Sequence, residues 1–540
     1  MSEGGPSVLF VNIPARPLVD LEAAFRGEAL FDSFQHDLSM PMGLLYLASY
    51  IRKYSSVSRI GLVDYPLLLT EGRACAGVEE FIDSGLAGVD FTPDIVGVTL
   101  NFTPAQAFFD LCVQRLRARF PHAVIVAGGN HATNTTRHQA QDHSGGVDCL
   151  IPGEGERLLC RLVDEWGRRP IVPYRNGEVI DDLDTIPFPA WDLIDMEAYV
   201  TRASRWEIGT TPGARMACLV ASRGCPFHCT FCSSHTVHGR KVRLRSIENI
   251  VGEVRELHQR YGVNIIMPWD DIFTMGRTRT IELLRRLRAL EIPRFQIQFQ
   301  NGLSVHALDG QVIDELILTG MPMTALAVES GSEEVQRNLI KKRCDLGKAR
   351  RLVSYMRERG VFVRCLFILG FAGETRAQMQ ETIDYAKSLS ADWCVFSIAT
   401  PLVGSEMYAQ WVKAGVIEDG PAFWGASSYG HRSFDTPEIS AEDLNELAYR
   451  ANLECNFVGN PNLISGRYER AAQLFRDIVA KFPFHVIAWY CLMRCEELLG
   501  REERRESLEL HIADTIGTNA LAREMYDKYR DLMPGLEGDR

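Results

Sequence analysis

The feature that most constrains this chain is a closely spaced group of three cysteines in residues 222–232, SRGCPFHCTFC. The group consists of Cys225, Cys229 and Cys232. Their CxxxCxxC spacing allows three thiolates to bind one four-iron, four-sulfur cluster, which usually takes four cysteines, so one iron would stay open to a small molecule. A single zinc ion is the alternative occupant. The candidates for its fourth ligand are His228, His235 and Cys218.

The cysteine spacing resembles that of the radical S-adenosylmethionine (SAM) superfamily, and the aromatic residue before the third cysteine also fits. The resemblance implies that the open iron binds SAM and that the cluster cleaves SAM to a 5'-deoxyadenosyl radical. Residues 323–332, MTALAVESGS, resemble a strand that carries a carboxylate to the ribose hydroxyls of SAM, and a carboxylate can accept from two hydroxyls. Residues 365–375 resemble the later strand and glycine-rich turn beside the adenine. The residues that the resemblance assigns to SAM are Phe231, Asp271, Glu329, Ser330, Gly370 and Gly373. A zinc site needs no ribose carboxylate, so these segments favour the cluster.

The first third of the chain alternates apolar strands with helical segments, which predicts an α/β, doubly wound, Rossmann-like parallel sheet. The predicted strands are residues 8–11, 60–64, 95–99, 123–127 and 149–151, with a helix over 41–51. Ligands of such folds bind beyond the carboxyl ends of the strands. The loops at those ends are residues 12–15, 100–102, 128–131 and 153–155. They contain no GxGxxG fingerprint, so NAD is not implied.

The order and spacing of these segments resemble the cobalamin-binding domain that precedes many radical SAM domains. The cobalamin residues that the resemblance implies are Pro14, Ala15, Thr99, Leu100, Asn101, Gly128, Gly129, Asn130, His131, Gly153, Glu154 and Gly155. The Asp-x-His-x-x-Gly signature is absent, and Asp142-His143 lacks its spacing, so cobalamin would be held without a histidine lower ligand. We expect no metal ligation by His131. The alternative is a domain that has lost its ligand and serves as a docking wall.

The middle of the chain is predicted to be a partial (βα)6 barrel. Residues 183–192 are proline-rich and read as an interdomain linker. Strand and helix patterns alternate after it. Asp270 and Asp271 follow a predicted strand at residues 264–269; one of them caps a helix, and the resemblance gives the other to SAM or substrate. Residues 295–301 alternate apolar side chains with amides, as a polar pocket wall or a solvent-facing edge strand would. The amides are Gln296, Gln298 and Gln300, and the aromatic residues Trp269 and Trp393 also hint at a pocket.

The last quarter of the chain is predicted to be α-helical. Residues 466–470, GRYER, recur as 500–504, GREER, a spacing typical of tetratricopeptide repeats. Two partial repeats do not form a stable solenoid alone, so we expect them to pack on the barrel or cover its mouth, with binding of a partner as the alternative. The predicted division is residues 1–180 cobalamin-binding domain, 181–210 linker, 211–425 radical SAM domain and 426–540 helical domain.

Composition limits the location and partners of the chain. The 14 cysteines lie scattered among apolar residues, and neither a secretory signal nor a long apolar run is evident, so we expect a reducing cytoplasm and no membrane span. The net charge of −12 disfavours nucleic acid as a partner. The expected partners are a small-molecule substrate and an external electron donor such as flavodoxin or ferredoxin.

The resemblance implies an enzyme with three cofactors, a [4Fe-4S] cluster, SAM and cobalamin. The predicted activity is a methyltransferase that moves a methyl group from SAM, through methylcobalamin, to an unactivated carbon of a small-molecule or natural-product substrate. The alternatives are a cobalamin-dependent oxidative cyclase or rearrangement enzyme related to the anaerobic porphyrin-ester cyclases, and a cobalamin or iron–sulfur sensor. Family precedent makes Cys344 and Cys394 candidates for a catalytic cysteine.

Overall fold

The first part of the structure is a five-stranded parallel sheet with strand order β2-β1-β3-β4-β5. The computed structural model describes residues 4–27, 38–72, 75–136, 146–167, 178–202, 213–299, 301–427 and 430–536. The strands are β1 (Ser7–Asn12), β2 (Arg59–Asp64), β3 (Ile95–Thr99), β4 (Val124–Gly128) and β5 (Cys149–Ile151). The order reverses between β1 and β3, which places a ligand-binding crevice beyond their carboxyl ends.

Helices cover both faces of this sheet, because its strands are nearly continuous runs of buried aliphatic residues. They are α1 (Leu18–Phe25), α2 (Met42–Tyr54), α3 (Tyr65–Thr70), α4 (Val78–Ala87), α5 (Gln106–Arg119), α6 (Asn130–Asn134) and α7 (Glu156–Asp164). Two separate hydrophobic clusters, one on each face, hold the helices to the strands. The doubly wound arrangement predicted from the sequence is therefore present.

The segment predicted to be a linker is packed rather than free where the structure describes it. Helix α8 (Met196–Arg202) belongs to it, and Trp191 is 2% exposed within the large central core. The Tyr199 hydroxyl donates to Asp64 at the end of β2, at 2.6 Å. This segment therefore joins the first sheet to the central hydrophobic core.

Six further parallel strands form two three-stranded sheets, in the orders β10-β9-β6 and β11-β12-β13. The strands are β6 (Met216–Leu219), β9 (Ile265–Pro268), β10 (Gln296–Ile297), β11 (Met323–Glu329), β12 (Phe362–Leu369) and β13 (Trp393–Ile398), with a short antiparallel pair, β7 (Ser222–Arg223) and β8 (Arg243–Leu244). An isolated parallel bridge pairs Leu303, six residues after β10, with Leu326 of β11. The amide-rich strand is shorter than predicted, because only Gln296 and Ile297 pair with β9.

Helices alternate with these strands and pack on one side of them. They are α9 (His235–His238), α10 (Ile247–Tyr261), α11 (Arg277–Arg288), α12 (Gly310–Leu318), α13 (Leu346–Glu358), α14 (Arg376–Ser388), α15 (Glu406–Lys413) and α16 (Pro421–Ala426). A π-helical turn occupies Val335–Leu339. Ser246 caps the start of α10, where its hydroxyl accepts from the Asn249 amide.

The last part of the chain is helical, as predicted, and begins against the edge strand β13. Its helices are α17 (Ala441–Leu453), α18 (Pro461–Ile464), α19 (Tyr468–Lys481), α20 (Val486–Leu498), α21 (Glu502–Thr518) and α22 (Ala520–Tyr529), with a π-helical turn at Glu454–Val458. The Asn456 side chain accepts from the Cys394 amide at 2.7 Å and donates to the Cys394 carbonyl at 2.6 Å. The helical region thus covers the open edge of β13.

Within the described ranges, no helix combines the length and apolar character needed to cross a membrane.

Candidate functional site

A cavity of about 500 Å³ lies between the first sheet and the cysteine-bearing segment. One side is formed by the loops after β1, β3, β4 and β5 and by the start of α2. The other side is formed by Val220, Ser222, Arg223, Trp269 and Asp271 and by residues of α9. This volume is in the range of sites for large organic ligands. We call it the central cavity.

Most residues predicted to bind cobalamin line the central cavity. These are Pro14, Ala15, Thr99, Asn101, Gly128, Gly129, Asn130, Gly153, Glu154 and Gly155. Gly129 has φ +115°, and an added Cβ would lie 2.5 Å from the Asn101 side chain and 2.8 Å from the Leu100 carbonyl. Only glycine therefore permits the close approach of the two loops.

Leu100 and His131 depart from that prediction. Leu100 is fully buried in the core of the first sheet. His131 is 3% exposed, with Nδ1 3.1 Å from the Thr103 hydroxyl and Nε2 3.2 Å from Gln106 Oε1. Burial lowers the pKa of His131 to about 4, so its ring is neutral and its nitrogens are engaged. The ring is therefore a core histidine held by two polar side chains.

The cysteine loop, residues 224–232, is held by backbone contacts from distant segments. The Thr230 amide donates to the Ile340 carbonyl at 3.2 Å, and its hydroxyl donates to Leu339 at 2.7 Å. The Thr230 carbonyl accepts from the Met407 amide at 2.8 Å. The Phe227 carbonyl accepts from Arg240. These bonds fix the loop while leaving its thiols partly accessible.

The three loop cysteines form no disulfide, and Cys225 and Cys232 both lie close enough to Cys229 to act on its thiol. Burial raises the pKa of the Cys229 thiol to about 12; the nearby Lys342 ammonium opposes this rise, and Cys232, Glu329 and Cys225 add to it. Thiolates this crowded need a metal to stay deprotonated. Among the described residues, no three His, Cys, Asp or Glu side chains converge on one ion position. Each thiolate of a four-iron cluster binds a different iron, so three partly accessible thiols on one short loop fit such a cluster.

The proposed fourth zinc ligand Cys218 lies apart from the loop. It is 3% exposed on β6 and belongs to the central hydrophobic core. Burial raises the pKa of its thiol to about 12. Of the two histidine candidates, His228 is exposed within the loop and His235 begins α9.

Gly224 is required by its position directly before the first loop cysteine. Its φ is +93°, and an added Cβ would lie 2.4 Å from the Lys241 carbonyl oxygen. We expect Gly224→Ala to displace the loop at a cost on the order of 1–3 kcal/mol and to lower the iron bound per chain. The measurement is iron and sulfide content after anaerobic reconstitution. Gly239→Ala is the matched control, because Gly239 has φ +72° but open space at its Cβ. Equal iron loss in both variants would contradict the role of the close contact.

A buried ion network joins the first sheet to the cysteine loop. It consists of Glu154, Glu156, Arg223, His238 and Arg243. Arg243 donates to both Glu154 oxygens, at 2.6 and 2.9 Å, and Glu154 also accepts from His238 Nδ1 at 2.9 Å. Arg223 donates to Glu156 at 2.6 Å. The Glu154 side chain is 1% exposed and that of Arg243 2%.

The network keeps its central carboxylate charged. Burial raises the pKa of Glu154, but the hydrogen bonds from Arg243 and His238 outweigh burial and hold this pKa well below its usual range. Arg223 follows Ser222 in the cysteine motif and precedes Cys225 by two residues. The ion pairs of this network therefore hold the central cavity and the cysteine loop at a fixed distance from each other.

Glu329, the predicted ribose ligand, ends β11 and faces Lys342. The two side chains are each 10% exposed, with 2.6 Å between the Lys342 Nζ and Glu329 Oε1. Glu329 has φ +72°, an uncommon backbone for a residue with a side chain. Both groups lie near Cys229, since their charges act on its thiol. The carboxylate is thus placed beside the cysteine loop.

Ser330, also assigned to SAM, is structural. It is fully buried, its hydroxyl lies 3.0 Å from the Thr382 hydroxyl, and it accepts from the Ser332 amide at 3.1 Å. The following Gly331 packs against α14, where an added Cβ would lie 2.4 Å from the Tyr385 Cβ. Ser330 and Gly331 therefore fix the end of β11 to a helix instead of facing a ligand.

The glycine turn, residues 370–374, follows β12. Gly370 has φ +81° and Gly373 φ +78°. Glu374 is fully buried and accepts from the amides of Gly370, at 2.6 Å, and Phe371, at 3.0 Å. The Phe371 ring lies 5.6 Å from the ring of Phe231, which precedes Cys232. The turn is thus in contact with the cysteine loop through Phe371, which packs against the predicted position Phe231.

The two adjacent aspartates after β9 have different surroundings. Asp270 is buried, accepts from the Ala221 amide at 3.1 Å and accepts from the Ser222 hydroxyl at 2.5 Å. Burial raises the pKa of Asp270 to about 6. Asp271 is exposed and lines the central cavity. Asp270 therefore supports the strand that enters the cysteine loop, and Asp271 is the one available to a ligand.

Cys344 and Cys394, the cysteines considered for catalysis, lie in the hydrophobic core and do not line the central cavity. Burial raises the pKa of Cys344 to about 11 and that of Cys394 well above its ordinary value. Both are placed as inert thiols, because reactive cysteines are accessible and have a lowered pKa.

The predicted pocket residues separate into two groups. Trp269 lines the central cavity, whereas Trp393 packs against Phe457 of the helical region, with 5.7 Å between ring centroids. Gln298 is 3% exposed and donates to Gln296 at 3.0 Å, so this position is no solvent-facing edge. Gln300 and Asp142-His143 lie outside the described residues.

Sequence reasoning missed the cations that complete the site. These are Arg223, His238, Arg243, Lys342 and Arg432. One signal was present: the carboxylates Glu154 and Glu156, in a loop at the end of a buried strand, require cationic partners if they are buried. The identity of those partners depends on contacts across 67 or more residues.

Comparisons with known proteins agree with this geometry. Residues 219–386 match the model of the radical SAM superfamily. The chain is 28% identical over 480 residues to cytidylyl-2-hydroxyethylphosphonate methyltransferase of Streptomyces wedmorensis, covering 78% of this chain and 88% of that protein. It is 26% identical over 334 residues to anaerobic magnesium-protoporphyrin IX monomethyl ester cyclase of Cereibacter sphaeroides, covering 58% and 52%.

Two solved structures have a similar fold. The radical SAM methyltransferase TsrM from Kitasatospora setae, with cobalamin and a [4Fe-4S] cluster bound, matches with TM-score 0.56 at 18% identity, over 77% of this chain and 80% of that chain. The cobalamin-dependent SAM radical enzyme OxsB, with aqua-cobalamin bound, matches with TM-score 0.55 at 16% identity, over 97% of this chain and 75% of that chain. The chain therefore contains a radical SAM domain, preceded by a parallel sheet in the same overall fold as TsrM and OxsB.

Proposed function

We propose that the chain is a cobalamin-dependent radical SAM methyltransferase that acts on an unactivated carbon of a small-molecule substrate. The observation that carries the proposal is the central cavity, which is bounded by the predicted cobalamin loops and by segments adjoining the cysteine loop. The methyltransferase from Streptomyces wedmorensis, which the chain matches over most of its length, supports the reaction class. The bound cobalamin and cluster of TsrM support the cofactors.

In this proposal each part of the chain has a separate task. Residues 1–180 hold cobalamin, residues 211–425 form a partial (βα)6 barrel for the cluster and SAM, and residues 426–540 carry the tetratricopeptide-like repeat. The cluster ligands are Cys225, Cys229 and Cys232, and the SAM contacts are Phe231, Asp271, Glu329, Gly370 and Gly373. When bound, the cluster supplies the electron that cleaves SAM, and cobalamin carries the methyl group.

The chain's own residues orient and shield these groups. The Lys342 ammonium pairs with the Glu329 carboxylate and holds it beside the cysteine loop. Met40, Met42 and Leu47 give the central cavity an apolar wall that excludes water. The buried ion network keeps the two sides of the cavity at a fixed separation.

Gly43 tests the assignment of the central cavity to cobalamin. It is the second residue of α2, it lines the cavity, and an added Cβ would meet no atom within 4 Å. Gly43→Leu would fill cavity space without straining the helix, since leucine is a better helix former than glycine. We expect cobalamin binding to weaken at least about tenfold, which corresponds to ~1.4 kcal/mol. The measurement is the dissociation constant for hydroxocobalamin by absorbance titration.

Gly517→Leu provides the matched control for this substitution. Gly517 also lies within a helix, α21, and has open space at its Cβ, but it is far along the chain from every cavity-lining residue. Its variant is expected to bind hydroxocobalamin like the parent protein. If Gly43→Leu bound hydroxocobalamin as tightly as the parent protein, the assignment of the central cavity to cobalamin would be wrong.

The reaction is tested by anaerobic reconstitution with iron, sulfide and hydroxocobalamin. A cobalamin absorbance spectrum after gel filtration would establish cobalamin binding. Formation of 5'-deoxyadenosine from SAM under reducing conditions would establish a working iron–sulfur cluster. With a substrate in hand, methylation adds one CH2 to the product mass. Absence of both the spectrum and SAM turnover would overturn the proposal.

The second candidate is an oxidative cyclase that uses the same cofactors. The similarity to the magnesium-protoporphyrin IX monomethyl ester cyclases of Cereibacter sphaeroides and Rubrivivax gelatinosus favours it. The chain covers 52% of the length of the Cereibacter sphaeroides cyclase but 88% of the length of the Streptomyces wedmorensis methyltransferase, so the methyltransferase is the first candidate. A product that has lost hydrogens or gained oxygen, with no added CH2, would select the cyclase.

A further inference from the structure

A single buried arginine connects the C-terminal region to the glycine turn. Arg432 is 4% exposed, and its Nη2 donates to the carbonyls of Gly370 and Ala399, the latter at 3.0 Å. Its own backbone is held by Asn445 of α17: the Arg432 amide donates to Asn445 Oδ1 at 2.9 Å, and the Arg432 carbonyl accepts from Asn445 Nδ2 at 2.9 Å. The helical region thus places this side chain on the turn.

The Arg432 guanidinium is buried beside two aromatic rings, and its hydrogen-bonding groups are only partly paired. Its carbon lies 5.0 Å from the ring centroid of Trp411 and 5.2 Å from that of Phe434. Burial lowers the pKa of Arg432 to about 10, so it stays charged at neutral pH. Among the described residues its Nε and Nη1 have no hydrogen-bond partner. Burying an incompletely paired charge costs free energy of folding. The hydrogen bonds from Arg432 to the carbonyls of Gly370 and Ala399 must therefore offset that cost.

The glycine turn is held from both sides by hydrogen bonds to two buried ionisable side chains. Glu374 accepts from the Gly370 amide at 2.6 Å, and Arg432 donates to the Gly370 carbonyl. An added Cβ at Gly370 would lie 3.1 Å from Arg432 Nη2, so the guanidinium lies directly against this residue. The next residue, Phe371, contacts Phe231 in the cysteine loop. The orientation of the Gly370 peptide is therefore fixed at the point where the turn meets the loop.

We propose that Arg432 is a positioning residue for SAM, supplied from outside the radical SAM domain. It acts through the glycine turn by fixing the carbonyls of Gly370 and Ala399, and it makes the helical region part of the SAM site. The inference rests on the proposed function, because it takes the glycine turn to be a SAM contact. It goes further by giving the C-terminal region a task at that site.

The test compares SAM binding in Arg432 variants of the full chain carrying its reconstituted cluster. Arg432→Met keeps the apolar stem and removes the donors, whereas Arg432→Lys keeps the charge and restores part of the donor set. We expect the dissociation constant for SAM to rise about 10- to 100-fold in Arg432→Met, with partial rescue in Arg432→Lys and unchanged iron and sulfide content. The change that SAM produces in the electron paramagnetic resonance spectrum of the reduced cluster gives a readout independent of turnover.

Arg450→Met is the matched control, because Arg450 pairs with Glu454 and Asp531 inside the helical region. It is expected to bind SAM like the parent protein. Parental SAM affinity in Arg432→Met would overturn the inference, and so would loss of the cluster in that variant, since the role would then be general folding. A parent protein that binds no SAM overturns the proposed function itself, so the two failures are separable.

Discussion

Replacing Arg243 by methionine is expected to destabilise the protein by about 3–5 kcal/mol, because it leaves a buried carboxylate without its main partner. Glu154 would keep His238 and the more distant Arg223, at 3.5 Å, but lose two hydrogen bonds from Arg243. The measurement is the free energy of unfolding in urea at neutral pH. The loss should also weaken cobalamin binding, since Glu154 lines the central cavity.

The pH dependence identifies the cause of this destabilisation. The low folded-state pKa of Glu154 adds stability that is fully present above the ordinary value of 4.5 and is lost as the pH falls through the folded-state pKa. The difference between the parent and Arg243→Met should therefore be largest at neutral pH and shrink below about pH 4.5. A difference independent of pH would show that packing, and not the ionic contact, was lost.

Lys241→Met is the control for this prediction. Lys241 lies two residues before Arg243 and pairs with Asp181, but these side chains are 77% and 76% exposed. Exposed pairs contribute ~0–1 kcal/mol, so this variant should be close to the parent in stability. If Arg243→Met and Lys241→Met lowered the free energy of unfolding equally, the buried ion network would not be the source of the stability.

Replacing Cys229 by alanine is expected to abolish the iron–sulfur cluster and all formation of 5'-deoxyadenosine. The loop supplies three thiolates, and two cannot hold a four-iron cluster that already lacks a fourth protein ligand. The measurements are iron and sulfide content, absorbance of the reconstituted protein and SAM cleavage under reducing conditions. Cobalamin binding should persist, because Cys229 does not line the central cavity.

Cys218→Ala separates the cluster from the zinc alternative. Cys218 is buried on β6 and was a candidate for a fourth zinc ligand. With an open-iron cluster, its loss should leave iron content and SAM cleavage at the parental level. Metal loss equal to that of Cys229→Ala would support a four-ligand site instead.

The fold could be predicted from the sequence where local patterns decide it. The strands of the first sheet are short apolar runs bounded by turns, and their predicted bounds fall within about one residue of β1 to β5. The amide-rich segment was predicted too long, because alternation marks side-chain faces but not how far a neighbouring strand extends. The linker was predicted from its prolines, yet Trp191 and Tyr199 pack into the core. Composition alone does not reveal burial of that kind.

The site could be predicted where a motif is contiguous in sequence. The cysteine loop, Glu329 and the glycine turn each lie within a few consecutive residues, and the structure brings them together. The cations were missed, because Arg243 and Arg432 find their partners across 89 and 62 residues. Ser330 and His131 were assigned to ligands on position alone, although neighbouring hydroxyl and amide groups engage both side chains.

One contact between distant parts of the chain has a consequence for biosynthesis. Trp424 on α16 lies edge-on to His131, with 5.0 Å between ring centroids, and α16 packs against α5 of the first sheet. The first sheet therefore cannot reach its final packing while the ribosome is still translating the middle of the chain. Contacts of such long sequence separation form late in folding. We expect the surface of α5 that α16 covers, and the contact between Trp424 and His131, to be completed only after residues 421–426 have left the ribosome.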